Sequence, residues 1–196
     1  IDGTIFEHLT WKGIYVEQLS NAELLNLVMN DVGQFGRSVV TGGSAGADGS
    51  GIELNLKYDA FSEILISGFT LTDVGLSNGS GTPHTNGAAI GIKARDDSPS
   101  YNSDPASLNG VTIENGSIDG ASTGIRVGEP GKTNLGPTNV AVSNVRISDA
   151  VVASYDNRSQ APIHVDLTGN ELVVTHPLST GLIDYNVMPV AHTASA

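Results

Sequence analysis

Apolar and polar residues alternate in short runs along most of this chain, and two kinds of run recur. The first is a Gly or Pro followed by strict alternation: Gly13-Ile14-Tyr15-Val16-Glu17, Gly51-Ile52-Glu53-Leu54-Asn55, Gly91-Ile92-Lys93-Ala94-Arg95, Gly124-Ile125-Arg126-Val127-Gly128 and Pro162-Ile163-His164-Val165-Asp166. A period of two predicts strands with one buried face. The runs align Ile14, Ile52, Ile92, Ile125 and Ile163 as one inward column, with Val16, Leu54, Ala94, Val127 and Val165 as the next. Tyr15, Glu53, Lys93, Arg126 and His164 then form an outward row, beside Glu17, Asn55, Arg95, Gly128 and Asp166.

The second run is a short alternating strand, a break, another short strand and an Asp. It spans 22–33, 63–75, 111–120 and 140–149, with breaks at Asn26, Gly68, Asn115 and Asn144; Leu172-Val173-Val174 reads as a worn further copy. Asn and Gly suit such breaks because they tolerate a left-handed backbone, and stacked Asn amides can hydrogen-bond along the stack. The two runs alternate strictly. The unit is therefore strand, strand, bend, strand, loop, with steps of 38, 40, 33 and 38 residues from Ile14 to Ile163. Repeats of the solenoid kind need roughly 20–29 residues, so the surplus falls in loops rich in Gly, Ser, Asn, Pro and Asp that crowd the first strand. These loops are 34–50, 76–87, 97–108, 129–137 and 151–161.

These features predict an all-β chain, a right-handed single-stranded parallel β-helix of about five rungs with long loops on one side. It spans residues 1–175, and 176–196 reads as a C-terminal capping segment or tail. The arrangement resembles the pectin-lyase-like superfamily in its aliphatic stacks and its Asn-marked bend. A β-sandwich is the rival, but its hairpins need tight turns between neighbouring strands, and Asn115-Gly116 lies inside a repeat rather than between repeats.

Composition narrows the functional classes. The chain has 196 residues, 24 glycines, 5% aromatics and no cysteine, which suits strands and turns and excludes disulfides and thiolate metal sites. A net charge of −12 argues against nucleic acid and anionic membranes as partners. No apolar run reaches membrane-spanning length. The start at Ile1 suggests a processed protein or part of a longer parent chain, and the whole suggests an extracellular or cell-surface, bacterial product. Expected partners are a polysaccharide, a second copy, or other parts of that parent chain.

Candidate chemistry follows from the resemblance. Superfamily members that cleave acidic polysaccharides lay charged residues across the first-strand face, where carboxylates hold calcium and Lys or Arg acts on the sugar. On this chain the resemblance implies Lys93, Arg95 and Arg126 as catalytic, Tyr15, Glu53, His84 and His164 as substrate-binding, and Asp96, Asp97 and Glu129 as calcium ligands. Calcium takes oxygen ligands and proton abstraction beside a uronate needs a base, so these residue types fit. The plainer alternative is a set of solubilising cross-strand ion pairs such as Glu53 with Lys93. Asp96-Asp97 resembles the aspartate pair of polygalacturonase-type hydrolases without their neighbouring motifs, and Pro83-His84 is only a fragment of an epimerase-like Asp-Pro-His. Residues 42–49 resemble one imperfect Gly- and Asp-rich calcium repeat. Two functions stay open: a module that binds or processes polysaccharide, lyase- or epimerase-like if catalytic, and a non-catalytic structural or adhesive segment of a larger surface or secreted protein.

Overall fold

A computed structural model describes residues 1–34, 49–76, 86–166 and 179–185. Thirteen strands and no helix occur among them: β1 Ile5–Leu9, β2 Lys12–Val16, β3 Ala22–Leu25, β4 Val28–Val32, β5 Ser50–Leu56, β6 Ala60–Ser67, β7 Thr70–Val74, β8 Ala88–Ala94, β9 Ser107–Val127, β10 Thr138–Asn157, β11 Ile163–Asp166, β12 Ser179–Thr180 and β13 Ile183–Tyr185. Every pairing between them is parallel, and they group into three ladders. The first joins β2, β5, β8, the end of β9, the end of β10 and β12. The second joins β3, β6, the start of β9, the start of β10, β11 and β13. The third joins β1, β4, β7 and the middles of β9 and β10.

Inward columns of the ladders meet in one core. Ile14, Ile52, Ile90, Ile125 and Tyr155 stack along the first ladder, Ile64, Val111, Val140 and Ile163 along the second, and Met29, Leu71, Ile118 and Ile147 along the third. At the entry to the first ladder the column is Gly13, Gly51, Ala89, Gly124 and Ser154, all small. A Cβ on Gly51 would lie 2.7 Å from the Ala89 carbonyl oxygen and 2.9 Å from Val74 Cγ1, so the backbone and the opposite wall leave no room.

The bends are made by left-handed residues at matching positions. Asn26, Gly68, Asn115 and Asn144 all have positive φ between the second and third ladders, as anticipated. Asn144 Nδ2 donates to Asn115 Oδ1 at 2.7 Å, and Asn26 Nδ2 to Asp2 Oδ1 at 2.8 Å. Asp31, Asp73, Gly120 and Asp149 repeat the conformation near the end of the third ladder. Asn21, Glu63, Gly110 and Asn139 repeat it just before the second-ladder columns, a set that alternation did not disclose.

Three details of the sequence alignment need correction. Ile90, not Ile92, pairs with Ile52 and Ile125. The run Ala88–Ala94 alternates equally well in either register, and a slip of two leaves every side chain on its own face. Ile163–Asp166 belongs to the second ladder, paired with Val140–Ser143, and the first-ladder strand of that repeat is the end of β10. That stretch was expected to be loop because Ala153-Ser154-Tyr155-Asp156-Asn157 carries no aliphatic alternation. The pairing also continues beyond residue 175, where β12 and β13 extend the first and second ladders. Residues 172–174 lie outside the described residues.

Candidate functional site

The outward face of the first ladder is not open. β5 and β8 are buried along their whole lengths on both faces. Glu53, Lys93 and Arg126 are exposed by only 1%, 6% and 1%. The outward column is Tyr15, Glu53, Gly91, Arg126 and Asp156, so Lys93 sits one column further along, beside Asn55. His164 is on the second ladder, half-buried, with Nδ1 3.5 Å from Asp184 Oδ2; it does not join this face. His84 lies outside the described residues, as do most of 42–49.

The buried Glu53, Lys93 and Asp97 are ion-paired. Glu53 receives Lys12 and Lys93, the latter at 2.7 Å, and accepts from Ser50 Oγ at 3.0 Å. Lys93 also reaches Glu129 Oε2 at 3.3 Å, and Arg95 Nη1 meets the same oxygen at 3.2 Å. Arg95 then grips Asp97 with two bonds, Nε to Oδ1 at 2.6 Å and Nη2 to Oδ2 at 3.0 Å, and Lys132 adds a third cation contact at 3.2 Å. Asp96 fixes the loop 128–137 by accepting from Asn134 Nδ2 at 2.7 Å and the Leu135 amide at 2.9 Å. Arg126 Nη1 donates to the Asn86 carbonyl. The result is one chain of alternating sign from Lys12 through Glu53, Lys93, Glu129, Arg95 and Asp97 to Lys132.

The electrostatics follow from those partners. Burial pushes the Glu53 carboxyl up, but Lys93 and Lys12 together outweigh it and hold it at about 2. Arg95 holds Asp97 well below the usual carboxylate range against its desolvation, with help from Lys132 and Asn134. Burial works to lower Arg95, but Asp97 and Glu129 raise it. Tyr15 is raised by burial and by its bond to Glu17, which it donates at 2.5 Å while accepting from Asn55 Nδ2 at 2.8 Å.

Six of the predicted site residues therefore share one network: Glu53, Lys93, Arg95, Asp97 and Glu129 by ion pairs, and Asp96 through Asn134, which also donates to Asp97 at 3.4 Å. Of the three expected calcium ligands, Asp97 and Glu129 hold ammonium or guanidinium groups, and Asp96 accepts from Asn134 and the Leu135 amide. Among the described residues, no group of three or more His, Asp or Glu side chains is disposed to hold a metal ion. Sequence reasoning missed Lys12 and Asn134, whereas Lys132 does belong with Lys93 and Arg95 in one basic region of the chain. Lys12 precedes the alternating run that starts at Gly13, and its ammonium lies on Glu53 and 4.6 Å from the Tyr15 ring centre. A groove of about 720 Å³ does lie on the second ladder, lined in part by Asp2, Glu23, Glu63, Leu65 and Thr112, and it contains none of the predicted site residues.

No protein-family profile matches this chain, nor does any curated protein or solved structure.

Proposed function

We propose that this chain is a non-catalytic structural or adhesive segment of a surface or secreted protein, built as a right-handed parallel β-helix. Support for the coil comes from the chain order: each repeat visits the first, second and third ladders in turn, and each strand lies parallel to its counterpart one repeat away. Parallel crossovers of this kind are right-handed in nearly all known proteins. The observation that carries the functional reading is the burial and pairing of Lys93 and Arg95 against Glu53, Glu129 and Asp97. A lyase base has to reach a substrate proton, and a uronate has to meet an unneutralised cation. Here the cations are spent on holding the covering loops to the coil.

The test is to incubate folded protein with acidic and neutral polysaccharides, with calcium and with chelator, following reducing ends and unsaturated uronate absorbance. The expected result is no product and an unfolding midpoint indifferent to chelator. Calcium-dependent product abolished by Lys93→Ala would overturn the reading in favour of a lyase.

A further inference from the structure

Tyr58 is out of place by ordinary backbone rules. Its φ is +72°, and among the described positive-φ residues it is the one tyrosine; the others outside glycine are Asn, Asp, Glu and His. Asn and Asp take this conformation routinely, whereas a bulky side chain there is an outlier. Such strain persists where surrounding structure fixes it, and it gathers at binding sites. Local bonds do fix it: the Lys57 amide donates to the Glu17 carbonyl at 3.0 Å, and the Asp59 carboxylate accepts from the Ala60 amide at 2.7 Å. The strain does not serve the core, because Tyr58 is 50% exposed.

What the conformation achieves is a pair of rings at the surface. Tyr58 lies against Tyr101 with centroids 5.5 Å apart and planes at 45°. Tyr101 is on the loop between β8 and β9, which is closed by the Ala106 amide on the Arg95 carbonyl at 2.7 Å and the Tyr101 amide on the Asp97 carbonyl at 2.9 Å. The Arg95 guanidinium, locked on Asp97, lies 4.4 Å from the Tyr101 ring centre, and Lys57 lies 5.9 Å from it. Both rings are therefore set on a rigid base before any ligand arrives, which lowers the cost of binding. Neither phenol hydroxyl bonds to another described residue.

We infer that Tyr58 and Tyr101 form a binding platform for a neutral sugar residue of a glycan chain. The local charge selects the class. Lys57 is paired with Glu17 and Arg95 with Asp97 and Glu129, so neither cation beside the rings is left for an anionic group, and the net charge of −12 disfavours a polyanion. What remains is the half-exposed Tyr58 ring, the Tyr101 ring beside it that also carries Arg95, and two hydroxyls with no partner among the described residues. A pyranose has the matching form, with an apolar C–H face to lie on a ring and hydroxyls at its rim. The platform gives the adhesive half of the proposed function a ligand, and it rests on that reading only in that the sugar is held rather than cleaved.

The test is calorimetric or NMR titration with cellohexaose, laminarihexaose, mannohexaose and maltohexaose, alongside a hexagalacturonate and a proline-rich peptide. Binding of at least one neutral hexasaccharide is expected, weakened about tenfold or more by Tyr101→Ala and by Tyr58→Asn. Tyr58→Asn is the sharper variant. Asn accepts the left-handed backbone, so its unfolding midpoint should equal or exceed the parent's while binding is lost. Tyr58→Phe, which keeps the ring, should retain most of the affinity. Binding by no neutral sugar, binding indifferent to both ring deletions, or binding of only the hexagalacturonate or the peptide would each overturn the platform. Reducing ends appearing in the same mixtures would count instead against the non-catalytic reading, leaving the platform to be judged by the ring variants.

Discussion

Lys93 Nζ lies 2.7 Å from Glu53 Oε1 on adjacent parallel strands, with both side chains almost fully buried. Such a pair costs much to desolvate, and removing one partner leaves the other charge stranded. Glu53→Gln keeps the shape and removes the charge facing both Lys12 and Lys93. It should destabilise the fold by about 3–5 kcal/mol, read from denaturant midpoints at neutral pH. A loss under about 1 kcal/mol would mean that the network behaves like exposed ion pairs.

The same carboxylate sets an acid limit. Its folded value of about 2 lies below the ordinary 4.5, so in that window the unfolded chain binds more protons and stability rises with pH. The contribution, about 3 kcal/mol, is fully present above pH 4.5 and is lost as pH falls through 2. Asp97, also depressed, adds to the effect at the acid end. The stability difference between the parent and Glu53→Gln should therefore be flat at neutral pH and shrink steadily below about 4.5. A difference unchanged at pH 2 would show that Glu53 is not held ionised by its lysines.

Two glycines on the first ladder, two columns apart, should respond in opposite ways to the same added methyl. A Cβ on Gly91 would find only ordinary contacts, 3.8 Å to Glu53 Cγ and 3.9 Å to Arg126 Nη2. Gly91→Ala should stabilise by about 0.4–1 kcal/mol through the unfolded chain. Gly51→Ala meets a carbonyl oxygen at 2.7 Å that belongs to the adjacent strand and cannot withdraw, and it should destabilise by about 1–3 kcal/mol. Thermal melts of the two variants side by side decide the matter.

Asn144 combines a left-handed backbone with a side-chain bond to Asn115 at 2.7 Å. Asn144→Gly loses only the bond, whereas Asn144→Ala loses the bond and strains the backbone. The alanine variant should be less stable than the glycine variant by about 1 kcal/mol. Equal stabilities would mean that the bend does not depend on its backbone conformation.

Strand existence and the main bend were legible because alternation and Asn placement are local signals. Asn26, Asn115 and Asn144 stand where bends occur for a reason that is visible one residue at a time. Register was less legible, since Ile90 and Ile92 satisfy the same alternation and only the partner strand decides between them. Tyr155 was missed as a member of the isoleucine column because its stretch carries small and polar residues. The charged face was legible as a list of residues but not as a buried network. Burial there depends on loops such as 128–137 folding over it, and nothing in Glu53 or Lys93 alone announces a cover. Tyr58 gave no signal at all, because its oddity is a dihedral angle.

The purely parallel pairing has a consequence for how this chain is made. No described strand pairs with its immediate successor through a tight turn. Val111 meets Val140 and Ile14 meets Ile52, so each bond waits for a whole repeat to be synthesised beyond the residue that needs it. Closing loops of this span is entropically slow, and it exposes unpaired strand edges meanwhile. On the ribosome, each new repeat finds its template already in place behind it, and assembly then advances in one direction, by accretion. A refolding full-length chain has no such order imposed on it and has to select its register among similar neighbours.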